Sequence, residues 1–474
     1  MPTIKNPEIL MGFNPNDVVK TCPRIESGLR LGPDAIRPCI LTVFESPIFW
    51  QAEEVPEGLT KKQIMEKREE LFFKLNDEHS EIACKSCLKV EEKKFKDVRF
   101  DKLGFIDLAH YSFCNLRCDY CGFTKTNSFH KAKYDPVPVL SQFCGDDVEF
   151  DSSVDFNGGE PSLLPNLADY FSMLSDLNIR TRLYTNAIRH RQEIEDAVSE
   201  GIISSLIISV DAGSKETYFL TKQRDQYEAV IENIRRYSAA CKSPKSGRVA
   251  SKYVFTAANC SRDDINGYVA DMEIAKPQEV WLLYDFGVIR EGVHNQISVQ
   301  IEAYAKMYLA FLERGIKPLH FYESFLDPVV QDSRDLMELT RSKIKELQSD
   351  KCIEAVSEIT AEVMSEAQII DALSDPSNST CVVAPANLTT QKILDHLGNR
   401  KCDILVADRC IHKSGKSLNG SEIIHYADLV EKEFDAVIVT SDYHYDAIVT
   451  EVNKYKSLEN IQIIRLNQSV HVAL

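Results

Sequence analysis

The chain has 474 residues, 44% of them hydrophobic, and a formal net charge of −17 from 55 basic and 72 acidic residues. This length predicts two or three domains with sizeable cores, and the acidic balance argues against a nucleic-acid substrate, whose phosphates need clustered cations. No secretion signal opens the sequence at Met1 and no apolar run is long enough to span a membrane, so we expect a cytoplasmic protein with reduced thiols and no membrane partner.

The first hundred residues contain four cysteines: Cys22, Cys39 and the pair Cys84-x-x-Cys87. A CxxC pair is a signal of metal binding, and four thiols are enough to close a metal site. Zinc is one possible occupant. The alternative is that these cysteines are small buried residues without a metal. Between them, Leu59 to Leu75 predicts an exposed helix whose Lys and Glu residues form a solvated face.

A CxxxCxxC triplet, formed by Cys114, Cys118 and Cys121, follows the strand-like run Phe105–Ala109. A cubane cluster has four irons, so three thiolates leave one iron open to a substrate or cofactor. The spacing therefore indicates chemistry more than structural support. The alternative is a structural zinc site completed by His110 or by a distant cysteine.

The next strand-like run, Val154–Phe156, leads directly into the glycine turn Asn157–Pro161, with the sequence NGGEP. Its two glycines let a ligand approach the backbone, Glu160 offers a carboxylate to an ammonium group, and Pro161 fixes the exit direction. Together, the cysteine triplet and this turn resemble the radical S-adenosylmethionine (radical SAM) superfamily. Members of that superfamily bind a 4Fe-4S cluster with CxxxCxxC and the amino group of S-adenosylmethionine with a GGEP-type strand end.

The resemblance implies cofactor contacts at several strand ends. The aromatic residue before the third cysteine lies against the adenine in this family, and polar residues at later strand ends face the ribose and carboxylate. Without the family, those later residues could equally be helix caps, since polar residues favour the turn from strand to helix. The implied cofactor-binding residues are Tyr120, Gly158, Gly159, Glu160, Asn186, Ser209 and Asp211, and the implied cluster ligands are Cys114, Cys118 and Cys121.

Apolar strand-like runs alternate with helical stretches across residues 101–327, as parallel β/α units require. With the resemblance, the pattern predicts an α/β fold, a partial (β/α)6 TIM-like barrel with its ligands at the carboxyl ends of the strands. Within one helix, Tyr227, Val230, Ile231, Ile234 and Tyr237 form an apolar stripe that predicts core. The predicted strands are Phe105–Ala109, Val154–Phe156, Arg180–Tyr184, Ser205–Val210, Tyr253–Thr256, Val280–Tyr284 and Leu319–Tyr322.

A helical linker is predicted over residues 328–376, ending in the polar segment Ser374–Asn378. Beyond it, four short apolar runs alternate with helical patterns and predict a small doubly wound, Rossmann-like α/β domain over residues 377–474. Its first turn, Ala384–Asn387, lacks the glycines that bring a phosphate to a helix, so we do not expect dinucleotide binding. Docking to a partner or carrier is an alternative role. The apolar runs are Cys381–Ala384, Asp403–Ala407, Ala436–Thr440 and Ile461–Leu466.

The cysteine-rich segment 1–100 resembles the auxiliary-cluster extensions of some radical enzymes, known as SPASM or twitch domains. Those extensions usually follow the barrel, whereas this segment precedes it. The resemblance therefore implies that Cys22, Cys39, Cys84 and Cys87 hold a second iron-sulfur cluster. Zinc and unligated thiols stay as alternatives.

The resemblance implies a radical SAM enzyme that reductively cleaves S-adenosylmethionine at its 4Fe-4S cluster to a 5′-deoxyadenosyl radical, which abstracts hydrogen from substrate. A flavodoxin- or ferredoxin-like reductant is implied. The C-terminal domain resembles the Rossmann-like domain appended to some sugar-modifying methyltransferases, which favours a sugar-like or other small-molecule substrate. The auxiliary cysteines instead favour a peptide-modifying maturase. A third alternative is a non-enzymatic metal-binding or redox-sensing protein. The sequence identifies no catalytic residue for the hydrogen transfer.

Overall fold

The computed structural model describes residues 12–39, 46–87, 89–285, 297–320, 331–351, 362–364, 369–370, 373, 380–386, 388–397, 403–408, 413–440, 445–456, 458 and 461–466. The chain divides into two compact units. The first unit comprises Met1–Cys114 and Asn127–Ile179, and the second comprises Asn115–Thr126 and Arg180–Leu474. The predicted domain limits at 327 and 376 and the segment Ser374–Asn378 lie outside the described residues.

The strands are short and spread over the whole chain. In chain order they are β1 (Val18–Thr21), β2 (Gly28–Leu31), β3 (Ala35–Arg37), β4 (Trp50–Gln51), β5 (Glu91–Lys94), β6 (Leu103–Leu108), β7 (Val148–Phe156), β8 (Arg180–Thr185), β9 (Ser205–Ser209), β10 (Arg248–Phe255), β11 (Glu279–Tyr284), β12 (Leu319–His320), β13 (Glu362–Met364), β14 (Thr380–Ala384), β15 (Asp403–Asp408), β16 (Ser417–Leu418), β17 (Ser421–His425), β18 (Ala436–Val439) and β19 (Gln462–Leu466).

The α-helices of the described residues alternate with these strands. They are α1 (Pro23–Ser27), α2 (Lys61–Asn76), α3 (Gly122–Lys125), α4 (Val137–Leu140), α5 (Leu167–Leu177), α6 (Gln192–Ser199), α7 (Lys215–Lys222), α8 (Tyr227–Ala240), α9 (Arg262–Ala275), α10 (Ser298–Leu312), α11 (Gln331–Lys351), α12 (Leu388–Leu397) and α13 (Tyr445–Tyr455). Among the described helices, none combines the length and the apolar character that a membrane crossing requires.

In the first unit, the strands follow the order β7, β6, β2, β3, β4. β6 pairs in parallel with β7 and β2, whereas β3 is antiparallel to β2 and β4. A separate antiparallel pair joins β1 to β5, with Thr21 opposite Glu91. The cysteine-rich segment therefore contains strands that its sequence pattern did not predict.

In the second unit, β12, β11, β10, β9 and β8 are neighbours in that order and pair in parallel. Leu206, Ile207 and Ile208 of β9 are fully buried, and such a continuous apolar run is typical of parallel strands covered on both faces. The predicted stripe on α8 is core, since Val230 and Ile234 are fully buried. From β6 to β11, each strand is followed along the chain by a helix, which confirms the predicted α/β class and its six β/α units.

The C-terminal strands form a sheet in the order β13, β19, β18, β14, β15, β17, β16. Every neighbouring pair is parallel except β16 with β17. From the central β14 the chain runs through β15 and β17 to one side, and then continues on the other side with β18 and β19. This is the doubly wound arrangement that the alternating pattern predicts.

Helix α2 differs from its prediction. It begins with a capping box, in which the Thr60 side chain accepts a bond from the Gln63 N–H and the Gln63 side chain accepts one from the Thr60 N–H. One face of the helix is buried and includes Phe72, Leu75 and the charged Arg68. The prediction of an exposed helix is therefore wrong for this face, and only the opposite face is solvated.

Candidate active site

The glycine turn after β7 packs against the backbone segment that precedes the cysteine triplet, within the first unit. A Cβ atom on Gly159 would lie 2.0 Å from the Phe113 carbonyl oxygen, and one on Gly158 would lie 2.5 Å from that of Tyr111. Gly158 also has a φ of 101°, which favours glycine. The Gly159 N–H donates to the Tyr111 carbonyl at 3.0 Å. Both positions therefore require the absence of a side chain.

Glu160 is held at the same segment. Its N–H donates to the Phe113 carbonyl at 2.9 Å, which places its backbone beside the residue immediately before Cys114. The Glu160 side chain is 1% exposed, and its carboxylate accepts a hydrogen bond from the Ser162 N–H at 3.0 Å. The carboxylate predicted to meet an ammonium group is thus buried on the turn next to the first cysteine.

The loop that carries the second and third cysteines belongs to the second unit, where the end of α7 holds it. The Arg117 N–H donates to the Lys222 carbonyl at 3.3 Å, and the Asp119 N–H donates to the Thr221 carbonyl at 3.1 Å. Those carbonyls lie in the last turn of α7, where the helix itself leaves them without partners. The cysteine loop therefore completes the hydrogen bonding of a helix end.

Tyr120 and Asp211 are in direct contact. The Tyr120 hydroxyl donates to Asp211 Oδ2 at 2.5 Å, and burial raises the pKa of this hydroxyl well above its usual range. Lys222 Nζ pairs with the same carboxylate oxygen, and both partners of this ion pair are almost fully buried, at 1% and 0% exposure. Burial alone would lower the pKa of Lys222, but the charge of Asp211 raises it above its usual range.

The other carboxylate oxygen of Asp211 is also engaged. Oδ1 accepts the Val254 N–H at 2.7 Å, and the Asp211 carbonyl accepts the Asn259 side-chain amide at 3.0 Å. Asp211 itself has a φ of 57°, a left-handed conformation that Asp tolerates better than most residues. Through these hydrogen bonds and the ion pair, Asp211 connects the cysteine loop, α7 and β10.

The thiol of Cys118 is in a buried environment that contains both signs of charge. Burial raises its pKa, the Lys222 ammonium opposes that shift, and Asp211 adds to it. Lys252, half-buried on β10, also favours the thiolate form. Iron binds the thiolate and not the thiol, so cations close to this sulfur favour ligation.

Asn186 and Ser209 lie at the carboxyl ends of β8 and β9. The Asn186 amide donates to Asn115 Oδ1 at 2.8 Å, which ties this strand end to the start of the cysteine loop. Ser209 pairs in register with Lys252 of β10. The helix-cap alternative does not hold for these positions, since Arg191 and Ser214 occupy the N-cap positions of α6 and α7.

His110 is packed as a core residue. It is 1% exposed, Nε2 is hydrogen bonded to the Tyr170 hydroxyl at 2.9 Å, and the two rings are stacked. Burial lowers the pKa of His110 from 6.5 to about 3, so the ring is neutral at physiological pH. In the part of the chain that the structure describes, no group of three His, Cys, Asp or Glu side chains is arranged to hold a single metal ion.

The four N-terminal cysteines, Cys22, Cys39, Cys84 and Cys87, line one cavity in the first unit. None of them is in a disulfide. Burial and the neighbouring thiols raise the pKa of Cys84 to about 12. The sequence therefore anticipated a group of residues that the fold does bring together.

Lys222 is the residue that sequence reasoning missed. It lies at the end of a helix, eleven positions after Asp211, where a Lys is ordinarily exposed, and no spacing or motif marks it. A lysine in the last turn of a helix is usually explained by the favourable interaction of its charge with the helix dipole. Only the fold shows that it is buried against Asp211 and Tyr120.

The Radical SAM superfamily model matches residues 108–249. No curated protein matches the chain. Among solved structures, Streptococcus suis SuiB is 17% identical over 39% of this chain and 40% of its own, with a TM-score of 0.33. The AdoMet-bound anSMEcpe is 15% identical over 47% and 64%, with a TM-score of 0.35. A radical SAM methyltransferase from Sphaerobacter thermophilus is 13% identical over 46% and 65%, with a TM-score of 0.33. The chain thus spans less than two thirds of each of these proteins.

Proposed function

We propose that this chain is a radical SAM enzyme, since the radical SAM family model matches residues 108–249, and that it abstracts a hydrogen atom from a sugar-like or other small-molecule substrate. The cofactors of the class are a 4Fe-4S cluster and S-adenosylmethionine. Together they supply a 5′-deoxyadenosyl radical, while the protein positions the reactants and excludes competing hydrogen donors. A flavodoxin- or ferredoxin-like protein is the proposed electron donor.

Cys114, Cys118 and Cys121 are the proposed ligands of three irons, and Glu160 is the proposed partner of the cofactor's ammonium group. The observation that carries this assignment is the packing of the glycine turn against the segment before Cys114. The donor set also fits, because soft thiolates are the preferred ligands of iron-sulfur clusters. A buried carboxylate suits a cation, since such a pair is strongest away from water.

Tyr120, Asn186 and Ser209 are the proposed neighbours of the adenosine part of the cofactor. Asp211 is proposed as a positioning residue, since both of its carboxylate oxygens are engaged by Lys222, Tyr120 and the β10 backbone. In this role it fixes the loop that carries the cysteines and does not contact the cofactor with its carboxylate.

The C-terminal domain supports the choice of a polar small molecule. In doubly wound sheets, ligands bind beyond the carboxyl ends of the strands, where the strand order reverses. At this edge, Lys413 donates to Asp408 at the end of β15 at 3.2 Å and to the Ala386 carbonyl after β14 at 2.5 Å. Thr440, after β18, is fully buried beside Thr390 at 2.8 Å. The edge is therefore rich in hydrogen-bonding groups.

A peptide-modifying maturase is the second candidate. It is supported by the convergence of the four N-terminal cysteines on one cavity, since auxiliary clusters in related enzymes accompany peptide modification. In either case we propose four parts: a cysteine-rich segment at 1–100, a radical SAM barrel at 101–327, a helical linker that begins at 328, and a Rossmann-like domain that begins with β13 at Glu362 and not at the predicted residue 377.

Anaerobic reconstitution with iron and sulfide, followed by dithionite and S-adenosylmethionine, tests the radical chemistry. We expect wild-type protein to form 5′-deoxyadenosine and the Cys118→Ala variant to form none. Cys241→Ala is the matched control, because Cys241 is half-buried and lies outside both cysteine groups. Absence of 5′-deoxyadenosine from wild-type protein with a full triplet cluster would contradict the proposed function.

Substrate class is tested by deuterium transfer. Reactions contain either deuterated nucleotide sugars or deuterated short peptides, and mass spectrometry measures deuterium in 5′-deoxyadenosine. We expect deuterium from the sugar set. Transfer from the peptides alone would favour the maturase and overturn the sugar proposal.

A further inference from the structure

Tyr111 is a buried residue in the segment between β6 and the cysteine triplet. The residue is 2% exposed, and its ring packs edge-on against that of His110, with the ring centroids 5.0 Å apart. The Tyr111 hydroxyl is buried and has no hydrogen-bond partner among the described residues. A buried hydroxyl that makes no hydrogen bond has lost its hydration without compensation, so an unpaired one in a folded protein requires an explanation.

Other buried tyrosines show that the fold pairs this group elsewhere. In four of them the hydroxyl lies 2.7 to 2.9 Å from a polar side-chain atom. The unpaired hydroxyl of Tyr111 is therefore not a general property of buried tyrosines in this protein. The four pairs are Tyr170 with His110, Tyr253 with Asp264, Tyr268 with Ser251 and Tyr284 with Thr340.

The glycine turn fixes the position of Tyr111. The Tyr111 carbonyl accepts the Gly159 N–H at 3.0 Å, and two residues further on the Phe113 carbonyl accepts the Glu160 N–H at 2.9 Å. These two bonds join the segment of Tyr111 to the turn that carries the Glu160 carboxylate. Burial raises the pKa of the Tyr111 hydroxyl well above its usual range, and the charge of Glu160 is the largest further cause. The hydroxyl is therefore neutral at physiological pH, so it can donate or accept a hydrogen bond.

An amino group on a ligand has the chemistry that both oxygens can bind. Glu160 is a buried carboxylate, and a buried carboxylate is matched best by a cation. An amino group carries more than one N–H, so a carboxylate that accepts one of them leaves another for a neutral hydroxyl oxygen. A carboxylate or phosphate on the ligand does not fit, since either would bring a negative charge close to that of Glu160.

We propose that Tyr111 is a specificity-determining residue, whose hydroxyl oxygen accepts a hydrogen bond from the same ligand amino group that Glu160 binds. The proposal rests on the proposed function, in which that amino group belongs to S-adenosylmethionine. It adds a side chain from outside the glycine turn, since Tyr111 lies three positions before the first cysteine. The hydrogen bond that the free protein does not make is made on binding, so Tyr111 increases affinity without stabilising the free fold.

Equilibrium dialysis of the reconstituted full-length protein tests the proposal with two ligands, S-adenosylmethionine and its analogue that lacks the amino group. We expect Tyr111→Phe to weaken S-adenosylmethionine binding about tenfold and analogue binding less than about twofold, because only the former loses a hydrogen bond to a charged group. Tyr268→Phe is the matched control, since its hydroxyl bonds to Ser251 in the core, and it should bind both ligands as wild type does. Equal affinity of wild type and Tyr111→Phe for S-adenosylmethionine, or an equal loss for both ligands, would overturn the proposal.

Melting temperatures of the same reconstituted proteins without S-adenosylmethionine provide a second readout, which decides even where the analogue binds too weakly to measure. We expect Tyr111→Phe to melt no lower than wild type, because its hydroxyl has no partner to lose, whereas Tyr268→Phe should melt at least about 2 °C lower. An equal fall for both variants would show that the Tyr111 hydroxyl is already paired in the free protein, and would overturn the proposal. If wild type binds no S-adenosylmethionine, the proposed function fails as well, whereas a missing effect of Tyr111→Phe alone leaves the proposed function standing.

Discussion

The ion pair between Lys222 and Asp211 acts on the cysteine loop through hydrogen bonds. Its two side chains are almost completely removed from water, and the carboxylate also accepts the Tyr120 hydroxyl. A buried charge that loses its partner is costly, because neither water nor another charge replaces it. The pair therefore makes the position of the loop depend on a residue that lies a hundred positions further along the chain.

We expect Lys222→Met to lower the free energy of unfolding by about 3 kcal/mol, because Asp211 is left as an unpaired buried carboxylate. Urea unfolding measures this change. The matched control is Lys215→Met on the same helix, since Lys215 is 53% exposed in its pair with Asp225 and its replacement should leave the unfolding curve unchanged. Equal effects of the two substitutions would contradict a dominant role for the buried pair.

Replacement of Gly159 tests the glycine turn. We expect Gly159→Ala to reduce 5′-deoxyadenosine formation at least about tenfold, because the new methyl group must displace the Phe113 carbonyl beside Cys114. Gly122→Ala is the control, because a Cβ there meets nothing within 4 Å. The measurement is the initial rate of cofactor cleavage by Gly159→Ala relative to that by Gly122→Ala. A Gly159→Ala rate equal to that of Gly122→Ala would show that the turn tolerates a side chain.

His110 makes stability depend on pH. Its pKa is lowered from 6.5 to about 3 by burial, so the unfolded chain binds a proton that the folded chain does not. The stability that His110 contributes is therefore present above pH 6.5 and is lost as the pH falls toward 3. In urea unfolding, the advantage of wild type over His110→Gln should shrink by about 1.4 kcal/mol per unit between pH 6 and pH 4. If the difference in stability between wild type and His110→Gln stayed constant with pH, His110 would bind its proton over the same pH range in the folded and unfolded chains, which would contradict the lowered pKa.

At the scale of elements, α2 shows how one buried charge can fix a helix. Arg68 is fully buried and donates to the carbonyls of Phe100 and Lys102 at 2.8 and 2.7 Å and to that of Gly28 at 3.0 Å. Burial lowers the pKa of Arg68 to about 10, so the guanidinium stays charged at neutral pH. It joins the helix to β2 and to the chain entering β6.

We expect Arg68→Met to destabilise the protein by about 3 kcal/mol, because three carbonyl groups lose a charged donor in a buried place. The neighbouring Lys67→Met provides the comparison, since Lys67 pairs with Glu70 at the surface and its loss should cost less than about 0.5 kcal/mol. Thermal unfolding of both variants measures the difference. Similar melting temperatures would show that methionine can pack in place of the guanidinium.

The sequence predicts some elements well and others not at all, for physical reasons. Parallel strands such as β9 and β11 are continuous apolar runs buried on both faces, so their composition is distinctive. The strands β4 and β5 carry few apolar residues, because they are short and partly exposed, and they leave no periodic signal. The buried face of α2 was not predicted, because the helix is rich in charged residues and because a buried arginine does not belong to an apolar pattern.

The same contrast holds in the candidate site. Cys114, Gly159 and Glu160 belong to one local motif, so residue type and spacing were enough to select them. Lys222 depends on a contact between distant segments, and its burial follows only from the fold. Sequence therefore identifies the atoms that meet a cofactor more readily than the residues that hold them in place.

At the scale of the whole molecule, the predicted domain limit at residue 377 excludes β13. This strand, Glu362–Met364, pairs in parallel with β19 and forms one edge of the C-terminal sheet. A fragment that begins at 377 would leave β19 as an unprotected edge, which favours aggregation. We expect a fragment of residues 362–474 to melt at least about 5 °C higher than one of residues 377–474. Equal melting temperatures and equal solubility would show that β13 adds nothing to the domain.

Gly28 has a consequence for how the N-terminal segment evolves. A Cβ atom at this position would lie 2.4 Å from the Pro38 carbonyl oxygen and 2.7 Å from that of Arg24, so the approach of the segment before Cys39 to α1 depends on this glycine. A lineage that gained any larger residue there would move Cys39 away from Cys22, and the four cysteines would no longer line one cavity. Among homologues, the glycine and the four cysteines should therefore be inherited or lost as one set.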